Sequence, residues 1–152
     1  MSNRNVRALA VDPLSPTTLY AGTAFGGVFR TTDGGAHWTP TALVLGTSSI
    51  MALAVARTDP GILYAGTTGG LIKSPDQGLH WEPIVDEQIN LTITALAVDP
   101  KDPSVLYVGT GGLPFKSADS GKSWTKLVQW VIHPDLPFSK VSGGEQSPKE
   151  YP

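Results

Sequence analysis

The chain has 152 residues, a formal net charge of −2, 17 glycines, 13 prolines and no cysteine. Acids and bases are interspersed and nearly balanced, so there is no electrostatic case for a nucleic-acid or anionic-membrane partner. Without cysteine there is no disulfide or thiolate chemistry, and no apolar stretch approaches the roughly 20 residues that a helical membrane span needs.

The opening Met1-Ser2-Asn3-Arg4-Asn5 lacks the apolar centre of a signal peptide. As written the chain would stay in the cytoplasm, and its compartment is otherwise open. Residues 8–11 form a continuous apolar run that predicts a strand buried on both faces. Asp12-Pro13-Leu14-Ser15-Pro16 is turn punctuation, since proline lacks a donor and fixes its backbone. Residues 19–23 read as a second strand and 28–31 as a third. An Asp33-Gly34-Gly35 turn then leads into a fourth strand starting at Trp38.

This unit recurs. Trp38, Trp81 and Trp124 stand 43 residues apart, each closing a Ser/Thr-x-Asp-x-Gly-x-x-Trp signature built on Asp33, Asp76 and Asp119 with Gly35, Gly78 and Gly121. Leu-Tyr-Ala/Val-Gly-Thr precedes each signature, around Tyr20, Tyr64 and Tyr107. Eleven residues before each of those tyrosines stands the leucine of an Ala-Leu-Ala-Val run, at Leu9, Leu53 and Leu96. The one length change is an extra residue in the first copy, near Phe25. Four strands per unit of this period predict an all-β chain of three propeller blades. The blades fall at about 5–44, 49–88 and 92–132, within a three-blade segment 1–132 followed by an irregular tail, 133–152. Around 132–137 the tail resembles an eroded start of a fourth blade, and 141–152 reads as disordered or as an arm on a partner chain.

The signature resembles the Asp box of the BNR and sortilin-type repeat family, over about residues 5–130. The aspartate accepts bonds from turn amides, the glycine supplies a positive φ, and the tryptophan turns inward against the neighbouring blade. The resemblance implies that the boxes lie on the turn between third and fourth strands, away from most ligand sites, and that Asp33, Asp76 and Asp119 are structural. One carboxylate per separated turn also makes a poor metal site, and no cofactor is expected.

Propellers usually close with about four to eight blades, and three would leave two apolar flanks in water. A homodimer related by a two-fold axis would close a six-bladed ring. The alternative is that the chain is a piece of a longer propeller.

Candidate ligand-binding residues follow from the loops at the channel mouth: 23–27, 67–70 and 110–113, with the connections 39–49 and 83–92. Phe25 is the odd aromatic; it either plugs a gap or stacks on a sugar or peptide side chain. Asp86 and Glu87 form the one acidic pair on a connection, most simply as solvated turn charges. Arg30, Lys73 and Lys116 occupy one repeat position; they either gather an anion by facing the channel or lay alkyl stems on the sheet. His37 and His80 share a place that Ser123 takes in the third copy, which argues against a shared metal site. His133 reads as a surface residue.

Three functions are compatible with these features. The favoured reading is a non-enzymatic module presenting loops to a protein or peptide ligand, as the resemblance to sortilin and photosystem assembly factors implies. A glycan-binding propeller is the alternative. A glycoside hydrolase, as in sialidases and xyloglucan-degrading Asp-box enzymes, is least supported: the chain has only Arg4, Arg7, Arg30 and Arg57, and turn-locked aspartates do not supply the carboxylate pair that glycoside hydrolysis needs.

Overall fold

The computed structural model describes residues 5–42 and 48–127. Its elements are twelve strands: β1 (Val6–Val11), β2 (Leu19–Thr23), β3 (Gly27–Thr31), β4 (Thr39–Pro40), β5 (Ile50–Val55), β6 (Leu63–Thr67), β7 (Gly70–Ser74), β8 (Glu82–Ile84), β9 (Ile93–Val98), β10 (Leu106–Thr110), β11 (Pro114–Ser117) and β12 (Thr125–Lys126). They form three four-stranded antiparallel meanders, β1–β4, β5–β8 and β9–β12. The expected all-β architecture is present, one sheet per sequence repeat. The fourth strands begin one residue after each tryptophan rather than on it. The expected fourth-blade remnant, His133 and the tail from 133 onward lie outside the described residues.

Two kinds of turn sit at one end of each sheet. At the first, Asp12 Oδ1 accepts the amides of Leu14 and Ser15 at 2.8 and 3.1 Å, and Asp99 Oδ1 those of Lys101 and Asp102 at 2.8 and 3.2 Å. The Asp-Pro dipeptides are therefore side-chain-nucleated turns. The Asp-centred turn between third and fourth strands lies beside it, tied by Gly34 N–H to Thr17 O, Gln77 N–H to Gly61 O and Ser120 N–H to Ser104 O, at 2.8–2.9 Å. The opposite end carries the turns between second and third strands. There the Thr of each Leu-Tyr-x-Gly-Thr motif clamps its own turn: Thr23 donates to Gly27 O, Thr67 to Gly70 O and Thr110 to Leu113 O at 2.9–3.0 Å.

The core lies between sheets. One cluster joins Tyr20 and Val28 of the first sheet to Ile50, Leu63 and Ala65 of the second; another joins Tyr64 and Leu71 of the second to Ile93, Leu106, Val108 and Phe115 of the third. Each sheet thus has a trailing face, turned to the next sheet, and a leading face, turned to the one before. In a regular strand Val6 and Leu9, three apart, would point to opposite faces. A bulge between Val6 and Ala8, repeated between Ile50 and Ala52 and at the head of β9, inserts one residue and brings both to the leading face.

Glycines make the close approach possible. A Cβ on Gly22 would stand 2.3 Å from Ile50 Cγ2, and one on Gly66 2.7 Å from Ile93 Cγ2. Conversely the turn glycines of one sheet receive side chains from the end of the fourth strand, or just past it, of the sheet before, with Thr41 Cγ2 at 2.8 Å from a Cβ on Gly78 and Ile84 Cδ1 at 2.9 Å from one on Gly121.

The expectation that the run at residues 8–11 is buried on both faces needs correction. Leu9 is 63% exposed and Val11 is exposed as well, because no described sheet precedes β1 to cover its leading face. Leu53 and Val55, their equivalents in β5, pack into the seam between first and second sheets.

Candidate functional site

The Asp-centred turns are closed hydrogen-bond circuits. Thr31 Oγ1 donates to Asp33 Oδ1 at 2.6 Å and accepts the Gly35 amide at 3.1 Å; the His37 amide donates to Asp33 Oδ1 at 2.9 Å. Ser74–Asp76–His80 and Ser117–Asp119–Ser123 repeat the pattern. The second carboxylate oxygen is filled by the residue four places on: His37 Nδ1 lies 2.7 Å from Asp33 Oδ2, His80 Nδ1 pairs with Asp76 Oδ2, and Ser123 Oγ donates to Asp119 Oδ2 at 2.6 Å. Imidazole and hydroxyl are interchangeable here because both can donate to the same oxygen, an equivalence that sequence comparison of the copies does not reveal.

Gly35, Gly78 and Gly121 have φ of 102, 92 and 91°. The preceding residue is left-handed too, at Gly34, Gln77 and Ser120, a second demand that Gly34 alone hints at. Bonds from the Thr31 hydroxyl, the His37 amide and the His37 ring hold Asp33 well below the ordinary carboxylate range. The Ser123 hydroxyl and amide, with Ser117, lower Asp119 to about 2. For Asp76, desolvation pulls upward but is outweighed by the His80 ring and amide and by Ser74, and the net shift is down. These carboxylates are committed to their own turns. Among the described residues no three His, Asp or Glu side chains gather where a metal ion could be held.

The tryptophans differ by position. Trp124 is 6% exposed in the seam between second and third sheets, Trp81 packs partly buried in the seam before it, and Trp38, with no described sheet ahead of it, is half-buried. Trp38 and Trp124 donate Nε1–H to the Gly35 and Gly121 carbonyls at 3.0 and 3.1 Å.

The three cations do not converge. Arg30 Nη2 crosses to Gln77 Oε1 of the next sheet at 2.6 Å. Lys73 lies 5.7 Å from the centre of the Tyr64 ring and Lys116 5.6 Å from that of Tyr107. Each cation meets a partner at its own sheet's trailing face, as third-strand residues paired with the tyrosines β2, β6 and β10 carry. Asp86 and Glu87 also separate in role: Asp86 Oδ1 accepts the Gln88 amide at 2.8 Å and its carbonyl accepts that of Ile89 at 3.2 Å, whereas Glu87 is exposed.

Phe25 sits on the β2–β3 turn at φ 61° and is 70% exposed, so it plugs no gap. At this same end the third sheet has a groove of about 370 Å³ lined by Leu91, Thr92, Thr110, Gly111, Gly112, Leu113 and Phe115. In the second sheet the corresponding corner carries polar contacts: the Ser49 amide to Thr68 Oγ1 at 3.1 Å, and Thr92 Oγ1 to Thr68 O at 3.3 Å. The groove comes from loops that the sequence places at the channel mouth, but its apolar lining carries no chemical signature to single it out beforehand.

No family model and no curated protein matches the chain. Solved structures do. An ancestral GH74 enzyme aligns with a TM-score of 0.72 at 21% identity over 80% of this chain and 18% of its own. YCF48 bound to D1 peptide aligns at 0.68 and 19% identity, over 83% of this chain and 41% of its own. The Nidogen/Laminin complex gives 0.67 at 15% identity, over 83% and 49%. These are β-propeller proteins, enzymes and binding proteins among them.

The fold is that of propeller blades.

The chain spans roughly a fifth to a half of the length of these proteins.

Proposed function

We propose that this chain is a non-enzymatic binding propeller of the Asp-box repeat type, completed to six blades by a second copy. In this reading its loop end holds an extended segment of a protein or peptide. The observation that carries the binding role is the groove beside Leu91 and Leu113, with exposed Phe25 and Val85 on the same end. Its walls are apolar, with Leu91, Leu113 and Phe115, and its polar groups few: the threonine hydroxyls and the backbone of two consecutive glycines. That suits an aliphatic or aromatic side chain flanked by peptide groups better than a polyhydroxylated sugar. The commitment of the turn aspartates to structural bonds favours binding over hydrolysis. YCF48 with its D1 peptide and nidogen with laminin are propellers whose partners are peptide or protein, which supports the same choice.

The test is an immobilised array of short unstructured peptides, run beside a glycan array. Retention of peptides bearing Leu, Phe or Met is expected, weakened at least tenfold by Leu113→Asp because one buried apolar side chain contributes about 1.5–3 kcal/mol. Saturable oligosaccharide binding at one site per blade would replace the peptide reading with the lectin one. Turnover of a chromogenic glycoside that Asp86→Ala abolishes would replace it with an enzyme.

A further inference from the structure

The two outer flanks of the blade array expose repeat positions that the internal seams bury. On the leading side of the first sheet, Val6, Leu9 and Val11 occupy the places of Ile50, Leu53 and Val55 and of Ile93, Leu96 and Val98. The later two sets pack into seams, whereas the first is exposed. On the trailing side of the third sheet, Tyr107 is 36% exposed where its counterparts Tyr20 and Tyr64 are buried, and Leu127 is 46% exposed where Ile84 packs into the second seam. The sockets are open at the same two places. A Cβ on Gly109 would meet nothing closer than Ala95 of its own sheet at 3.1 Å, and one on Gly35 only its own Trp38, at 3.7 Å.

We propose that the trailing flank of the third sheet receives the leading flank of the first sheet of a second copy, Val6 entering the Gly109 socket and Leu127 the Gly35 socket. This rests on the ring-closing part of the reading above and names its contacts. The occupant is identified by the internal seams, where these same residue types already meet the same partners. Val6 is one methylene smaller than the isoleucines that fill Gly22 and Gly66, so it fits the space. Lys116 already lies over Tyr107 as Lys73 lies over Tyr64 in the buried second seam. Opposite it the second copy would bring Gly34, which adds no bulk where the internal seams have Gln77 and Ser120. A two-fold axis forms the joint twice, leaves no flank uncovered, and gives six blades, inside the range in which propellers close.

The experiment is light scattering on the 152-residue chain. The expected mass is near twice 16.0 kDa. Gly109→Val fills a socket that, among the described residues, no neighbouring sheet enters, and Leu9→Lys places a charge on a residue that is 63% exposed within one copy. Each is expected to raise the dimer dissociation constant at least a hundredfold and return the mass to about 16.0 kDa with unchanged far-ultraviolet circular dichroism. A monomeric wild-type chain overturns the proposal, and so does a dimer whose mass neither substitution changes. The peptide array reads the other half of the functional reading independently. Blank arrays with the expected mass shifts leave the joint standing, and peptide binding by a dimer insensitive to both substitutions leaves only the binding role.

Discussion

Each turn aspartate has both oxygens occupied by donors from its own turn, and this makes the turns acid-sensitive. Asp119 falls from 3.8 in the unfolded chain to about 2 in the folded one. A group whose folded value is depressed contributes stability above its unfolded value and loses it as pH falls through the folded value. The contribution is therefore complete at neutral pH and disappears between about pH 4 and pH 2. Asp119→Asn is expected to lower the urea midpoint at pH 7, with the gap to wild type narrowing steadily through that window. Urea unfolding at a series of pH values checks this, and a gap constant with pH would show that the carboxylate charge contributes nothing. The structural role of these aspartates is legible in the sequence, because Asp, Gly and Trp recur at fixed spacing. The partner of the second oxygen is not, because a histidine and a serine share no pattern until their atoms are seen meeting the same acceptor.

Among elements, the seams decide what each repeat position does. Tryptophans in equivalent places have unequal surroundings, so equal substitutions should have unequal costs. Trp124→Ala, inside the seam between second and third sheets, is expected to cost about 3 to 5 kcal/mol. Trp38→Ala removes a half-buried indole and its bond to the Gly35 carbonyl, and is expected to cost roughly 1 to 2 kcal/mol. Denaturant melts of both variants check the ratio, and equal losses would mean that the first tryptophan is as enclosed as the third. Strand number, order and approximate limits were readable from period and punctuation alone. The bulge at the head of each first strand was not, because a single inserted residue leaves no compositional trace. Gly22 carries no signal of its role in the sequence either, and only the approach of Ile50 identifies it as a socket. The apolar groove was hidden for a related reason: Leu91 and Leu113 lie far apart in sequence and become neighbours only when connection and turn share one end of a sheet.

In the whole molecule, contacts run from each sheet to the next in order, β1 against β5 and β5 against β9. The middle sheet alone has neighbours on both flanks among the described residues, and every residue of its second strand, Leu63–Thr67, is buried. Where stability is passed between nearest neighbours, the outer units open first and the centre last. Amide-hydrogen exchange should therefore be slowest in Leu63–Thr67 and graded outward, with the equivalent amides of Leu106–Thr110 exchanging faster in a single copy. If the chain associates as proposed, dilution below the association range should accelerate exchange in the outermost sheets while the central strand holds its rate. The deuterium clock of β6 would then measure the cohesion of one polypeptide, and that of β10 would measure company.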